Sequence, residues 1–388
     1  MHRGLAMLHT NAILIATALL LAAMPAAAEG PRVVKNPYAE VDWENVTAFV
    51  ANFHSHTVLS DGRAEPDQLI AAYADAGYHI LAITDHDNHY NHRDGERDVR
   101  AIYTARDGLD RVPFSETTWP WTIWIDDEPS RIWTYKGIES SAFYPTLGES
   151  GMLAIRGNEP STHPHIVSLF NRAGWPDRNQ DDDERVATIE SYDGLMFWAH
   201  PTHYVPGGPW EDRFFDDDSW DTAVEYFGRY IVESDSVLGM EARDSGNRLD
   251  LDRELFDRLL ARYYPDHDIF IYGSDDNHAV TVASNASLSL VLAEELTEEA
   301  IRHAMTNGHV FAGSRADPFP QFHGIDIDED AHTITVNAEN YEKITWIKDG
   351  EEHSTGPTLD YSGMKDAVIR FELEQDGATF LSQAFYIR

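Results

Sequence analysis

Short apolar runs alternate with amphipathic stretches along most of the chain. Thr47–Phe53, His79–Thr84, Ile132–Ile138, Gly194–Ala199, Val237–Ala242, Ile269–Gly273 and His309–Ala312 are rich in Val, Ile, Phe and Tyr and predict strands. Between the first two, Glu65-Pro66-Asp67 opens a helix, with proline in the first turn and acids near its positive end. Leu69, Ile70, Tyr73 and Ala76 then share one helical face, and Gly77 supplies the stop. Leu251–Tyr263 and Thr297–Met305 have the same amphipathic spacing. Such βα alternation predicts a parallel sheet or barrel, in which functional groups collect where strands end.

Two segments break the rhythm. Ala101–Arg131 carries Trp119, Trp121 and Trp124 among Pro113, Pro120 and Pro129. Insertions of this length form lids, binding loops or mobile segments, and the tryptophans either stack on a substrate or make the loop's own small core. Tyr144–Asp193 carries the run Asp181-Asp182-Asp183-Glu184, which reads as a solvated surface. After Pro318 the period changes to two. His332–Val336, Ile344–Ile347, Ala367–Leu373 and Thr379–Ile387 alternate like short strands, separated by turn chemistry at Asn337, Asp349-Gly350, Ser362-Gly363 and Asp376-Gly377. The expected organisation is a leader over 1–28, an α/β barrel over 29–318, and a sandwich-like all-β module over 319–388.

The leader follows from Arg3, the apolar run Ala12–Ala23, and the small residues Ala26-Ala27-Ala28 before Glu29. That pattern is an export signal, too short to span a bilayer comfortably, and it places the mature chain in the periplasm or outside the cell. No stable membrane insertion is expected after its removal. With no cysteine, neither disulfides nor thiolate metal sites are available, so any metal must be held by His, Asp and Glu. The formal net charge of −38 argues against nucleic acid and anionic membranes as partners and leaves a small-molecule substrate. Lysine is confined to Lys35, Lys136, Lys343, Lys348 and Lys365, a balance that suits either a chain working in high salt or an ordinary acidic secreted protein.

Several chemistry-bearing residues follow the predicted strands. His54-Ser55-His56 comes after the first, and strand residues two apart point to the same face. Asp61-Gly62 lies in a short polar loop that can fold a carboxylate back toward that pair. Thr84-Asp85-His86 ends the next strand, where Asp85 either satisfies His86 or orients it as a ligand. Glu139, His165, His200 and Asp276-Asn277-His278 complete the set. Imidazole and carboxylate ligate Mn²⁺, Fe²⁺ and Zn²⁺, and two such ions roughly 3.5–4 Å apart can share a hydroxide and polarise an electrophile. Arg243 and Arg248 could hold an anionic group, or be ordinary surface residues. His203 is a candidate general acid for a leaving group, Asp85 a further candidate catalytic group, and His89 and His92 lie in nearby loops.

These motifs resemble those of the PHP (polymerase and histidinol phosphatase) superfamily. The resemblance rests on His54-Ser55-His56, Ser60-Asp61-Gly62, Ile83-Thr84-Asp85-His86, Gly137-Ile138-Glu139, Ala199-His200-Pro201 and Gly273–His278, in that order, and covers roughly Ala51 to Ala312. It implies a distorted (βα)7 barrel binding two or three divalent ions. It also implies His54, His56, Asp61, His86, Glu139, His200, Asp276 and His278 as ligands, with Glu139 bridging two metals. The superfamily places one more histidine before the Ala-His-Pro motif. His163 and His165 compete for that role, and the apolar run Ile166–Phe170 after His165 favours the latter. Asp276 keeps the Asp-x-His spacing, which leaves Asp275 to support the site. The expected activity is an exported phosphoesterase acting on a mono- or diester. The C-terminal module and leader look closer to a branch with carbamate and amide hydrolases, which is the alternative. A non-catalytic ligand-binding barrel is a third reading that a nearly complete ligand set disfavours.

Overall fold

The computed structural model describes residues 30–57, 61–64, 66–86, 151–161, 164–170, 181–203, 217–242 and 249–388, together with four two-residue strands between 112 and 134. The leader, most of the tryptophan-bearing segment, and Glu139, His163, Arg243 and Arg248 lie outside the described residues. Pro31–Arg388 form one compact unit.

The first strands are β1 (Val33–Lys35), β2 (Thr47–Asn52), β3 (Ile80–Ile83), β4 (Leu153–Asn158), β5 (Ile166–Leu169), β6 (Leu195–Trp198), β7 (Val237–Ala242) and β8 (Phe270–Gly273). β9 (Ser287–Ala293) and β10 (Val310–Ser314) follow. The helices are α1 (Pro66–Asp75), α2 (Asp182–Ser191), α3 (Asp217–Glu233), α4 (Leu249–Tyr263) and α5 (Glu298–Thr306). Gly77, at φ +82°, ends the first helical segment as expected, and Thr297 caps α5 by accepting from the Ala300 amide.

β2–β3–β4 run parallel, as do β6–β7–β8. β5 joins the two sets and is antiparallel to both neighbours. The reason is chain length: a parallel crossover needs about a dozen residues or more, and the connection from Asn158 to Ile166 is too short for one. β4 and β5 were absent from the expected elements because their short runs lie inside a segment read as an insertion, and β9, Ser287–Ala293, was not among them either.

The sheet does not close into a (βα)7 barrel. Its order runs β9–β2–β3–β4–β5–β6–β7–β8, and β9 and β8 are not laddered to each other. Side chains bridge the seam instead. Gln383, fully buried, accepts from the Ile271 amide and donates to the Ile271 and Val310 carbonyls. Ser289 Oγ accepts from the Gly273 amide and donates to the Gly273 carbonyl. These side chains satisfy backbone groups of β8 that ladder pairing would otherwise satisfy.

Alternation along the strands splits the core. Ile80 and Ala82, Leu195 and Phe197, Phe270 and Tyr272 point into one apolar cluster. Met196, Trp198 and Ile271 point the other way, into a cluster shared with α3 and α4. The apolar ends of these strands thus leave their last residues to project at one rim.

The C-terminal strands are β11 (Gln321–Asp328), β12 (Thr333–Glu339), β13 (Lys343–Lys348), β14 (Glu351–Thr355), β15 (Thr358–Asp360), β16 (Ala367–Gln375), β17 (Ala378–Leu381) and β18 (Phe385–Ile387). Asp349-Gly350 and Asp376-Gly377 have positive φ at both positions and make two-residue hairpins, as their sequence predicts. Asn337 differs from expectation: it lies within β12, and its amide donates to Asp326. β11, β12 and β15 form a separate sheet, whereas β17 pairs with β10 and joins the others to the large sheet of 15 strands. Arg370 on β16 binds Asp257 of α4 through two bonds of 2.7 Å, fastening the two regions.

Candidate metal centre

β2, β3 and β8 converge where they end. Ser55 bridges Asn277 in parallel, the His56 amide donates to the Asn277 carbonyl, and the Thr84 amide donates to the Ser55 carbonyl. Ser55 therefore turns away into the backbone network, and the histidines on either side of it face the space between strand ends. Asp85, nearly buried, holds this turn: its oxygens accept from the Thr57 amide and hydroxyl, both at 2.7 Å. A candidate catalytic group on sequence grounds, Asp85 is engaged in the structure with the loop that carries His56.

The loop back to Asp61 depends on Gly62. A Cβ there would lie 2.4 Å from the His56 carbonyl oxygen, so only glycine permits this approach. Asp61 comes within 3.7 Å of His56 Nδ1, 3.6 Å of His86 Nε2 and 3.1 Å of His278 Nε2. His278 Nδ1 is 2.8 Å from the Asp276 carbonyl; donation there leaves Nε2 with its lone pair. Asp276 Oδ1 lies 2.8 Å from His56 Nε2 and 3.3 Å from His54 Nε2. His200 and Asp276 both have left-handed backbone, at φ +31° and +48°. Such conformations cost energy for residues with side chains and recur at functional sites.

The central carboxylate is Glu159, which the sequence reading missed. It follows β4 and bridges His86 in parallel, at a strand end of the kind assigned to Glu139. Glu159 Oε1 lies 3.2 Å from His54 Nε2, 2.9 Å from His165 Nδ1 and 3.1 Å from His200 Nε2. Oε2 lies 2.7 Å from His86 Nδ1 and 3.3 Å from His56 Nε2. The signal was present in Leu153-Ala154-Ile155 ahead of Asn158-Glu159-Pro160, but Arg156 and Gly157 broke the apolar run and the span was read as an insertion. The antiparallel β5 explains how His165 reaches the same place. It precedes a strand, and that strand starts at the rim where the parallel strands end.

Glu241, also unforeseen, is fully buried on β7 and reaches two donors at once. Oε1 is 2.9 Å from His54 Nδ1, and Oε2 accepts from the His200 amide at 2.8 Å. Donation from His54 Nδ1 to this carboxylate fixes the tautomer that presents Nε2 to the cluster. Asp275 has a comparable part. It accepts from Tyr73 Oη at 2.7 Å, while its amide donates to Asn52. His203 stands beside His200, ring centroids 5.0 Å apart.

The electrostatics follow from so many carboxylates under cover. Burial disfavours the charged form of His54, yet Glu159, Glu241 and Asp276 overcome it and raise its pKa well above the ordinary imidazole value. Burial also opposes protonation of His86, but Glu159 and Asp61 raise it to about 11. Glu159 is driven well below the usual carboxylate range: burial would raise it, and His54, His165 and His86 outweigh that. For His200, burial wins and the pKa falls. The cluster thus favours cations strongly, and protons and metal ions compete for its nitrogens.

Three overlapping groups offer donor atoms within 4.8 Å of one another: His56, Asp61, His86 and His278; His54, His56, Glu159 and Asp276; and His86, Glu159 and His165. Despite these short distances, His54 Nε2, His86 Nδ1 and Glu159 Oε2 are buried side-chain atoms whose angles make no hydrogen bond among the described residues. Buried polar atoms are normally satisfied, so this cluster fits metal ions. The N/O donor set can coordinate two or three divalent cations.

No known family profile matches the chain, and no curated protein does. Among solved structures, similarity extends to a two-domain protein from Bacteroides vulgatus containing a predicted PHP-like metal-dependent phosphoesterase. Identity is 14% over 89% of this chain and 96% of that one, with a TM-score of 0.47. PsfC from Pseudomonas syringae matches at 16% identity, covering 70% and 89%, with a TM-score of 0.38. An amidohydrolase from Chromobacterium violaceum matches at 13%, covering 59% and 87%, with a TM-score of 0.33. Similarity at this level identifies neither substrate nor reaction.

Proposed function

We propose that this chain is an exported metal-dependent hydrolase of the PHP type, acting first on phosphoesters. The observation that carries the reading is the division of Glu159 between two sides of the donor cluster, Oε1 toward His54, His165 and His200 and Oε2 toward His86 and His56. A carboxylate shared in this way is what a multinuclear hydrolytic site needs between its ions. When bound, divalent ions acidify water toward neutral pH and polarise a phosphoryl or carbonyl oxygen.

The chain's own residues prepare that chemistry. Glu241 accepts hydrogen bonds from His54 Nδ1 and from the His200 amide, so both histidines are oriented from behind. Asp85 and Gly62 set the two arms of the loop that returns Asp61 to His56. In this reading His203, partly exposed next to His200, is the group assigned to give a proton to a departing alkoxide or amine. Arg243 remains a candidate for holding the substrate's anionic group.

The net charge of −38 supports a second reading, carbamate or amide hydrolysis with the same donors, because it gives little help to an anionic substrate. Metal content by mass spectrometry, followed by chromogenic phosphomonoesters, phosphodiesters and aryl carbamates, separates the two. Turnover of phosphoesters alone is expected; turnover confined to carbamates would establish the second reading. The leader supports location in the periplasm or outside the cell, and fractionation of cells expressing the full chain tests it.

A further inference from the structure

Glu159 and His165 stand at the two ends of one short connection, with Pro160 and Pro164 just inside them. Proline has no amide hydrogen, and one backbone bond is described within this connection, the Ile166 amide donating to the Pro160 carbonyl at 3.2 Å. A side chain from elsewhere grips it. Arg185 on α2 is fully buried, and its Nη1 donates to the Pro160 carbonyl at 3.2 Å and the Pro164 carbonyl at 3.0 Å. One carbonyl belongs to the residue directly after Glu159, the other to the residue directly before His165.

Burying a guanidinium is costly unless it is paired. Asp182, one turn earlier, lies against Arg185. α2 is itself fixed: Asp181 caps it by accepting from the Glu184 amide, and Asp183 accepts from Arg229 and Tyr230 of α3. The acidic run expected to be merely solvated thus anchors the helix that delivers Arg185.

We propose that Arg185 is a positioning residue for the metal donors Glu159 and His165. One nitrogen bound to both carbonyls sets the separation of the two donors and keeps both aimed at the cluster. This rests on the metal-centre reading above, but its consequence is read in metal binding and needs no substrate. The donor group of His56, Asp61, His86 and His278 contains neither residue and serves as an internal control.

The test is Co²⁺ titration of chelator-stripped full-length protein against a competing chelator, following ion count, affinity and the visible d–d bands. Arg185→Met should weaken the same sites and change the same bands as Glu159→Gln, but less severely, with affinity at those sites falling roughly 10–100-fold. It should not resemble Asp61→Asn. Arg185→Lys keeps the cation and one donor within reach, so it should restore part of the lost affinity. Unchanged binding in Arg185→Met overturns the proposal, as does uniform loss across all donor groups in a folded protein. If Arg185→Met does not fold, Arg185→Lys decides, selective weakening supporting the assignment and wild-type binding overturning it. Failure of both to fold also overturns it, since Arg185 would then hold the fold rather than the donors. Wild-type protein that takes up no ion removes the metal reading and this proposal with it. A loaded wild type beside an unchanged Arg185→Met removes this proposal alone.

Discussion

His54 and Glu159 have no exposed side-chain surface, and His165 and His200 have little, whereas Asp61 and His278 at the other side of the same cluster are 47% and 36% exposed. The two halves use the same residue types and share His56 and His86, yet they obey different physics. At the buried side water cannot solvate the carboxylates, so their charge must be met by protons or metal ions. At the open side hydration is available, and each donor is individually less necessary. The open side is also where substrate and exchanging solvent can approach. The buried donors therefore define the centre, and the exposed ones adjust it.

The strongest way to break this contrast is Glu159→Gln. It leaves several buried imidazoles without their central charge, and loss of one partner from a buried pair costs about 3–5 kcal/mol, which carried into ion binding is roughly 10²–10⁴-fold in affinity. Ion content by mass spectrometry should fall by more than one site's worth; a fully loaded variant would remove Glu159 from the centre. Glu241→Gln should weaken ion binding by about 10–100-fold, the usual effect of removing a group that orients a ligating histidine. Competition titration checks it, and unchanged affinity would mean that His54 needs no such support.

Asp61→Asn should cost no more than about 10-fold in affinity, because solvent compensates at the open side. In the same experiment, stripping by chelator should proceed in a fast and a slow phase, and Asp61→Asn should accelerate only the fast one. A single phase would erase the distinction between the halves. A pH series sharpens it further. His86 has a folded pKa of about 11 against about 6.5 in an unfolded chain, so in metal-free protein its contribution is complete below about 6.5 and lost as pH rises through about 11. Metal-free protein should therefore lose thermal stability from pH 7 toward 10 relative to loaded protein, whose ions replace those protons and bind better as pH rises. Parallel melting curves would contradict that sign. The smallest effect is expected from Glu139→Gln: with Glu159 proposed as the shared carboxylate, ion content by mass spectrometry should stay at the wild-type level, and loss of an ion would return that role to Glu139.

The sequence made much of the site legible. His54-Ser55-His56 needed only the two-residue period of a strand, and Asp276-Asn277-His278 only its position after an apolar run. Asp61 could be expected to return because Gly62 follows it, and the structure shows the close contact that demands glycine. Glu159 escaped because the apolar run before it is interrupted by Arg156 and Gly157 and lies in a span read as loop. Arg185 escaped for another reason: nothing local to α2 reveals that its arginine meets two proline carbonyls from a different connection.

Residue chemistry and local period alone determined that the donors are imidazoles and carboxylates, that none is a thiolate, and that His54, His56, His86, His200, Asp276 and His278 sit at strand ends. They also determined the two-residue hairpins at Asp349-Gly350 and Asp376-Gly377, because turn conformation is a property of adjacent residues. Tertiary structure decided the rest. It made β5 antiparallel and so brought His165 to the rim, chose Glu159 as the shared carboxylate, and filled the open seam beside β8 with Gln383 from the far end of the chain. Each of those outcomes depends on which distant backbone groups lie unpaired next to one another, and that is fixed only when the whole sheet has assembled.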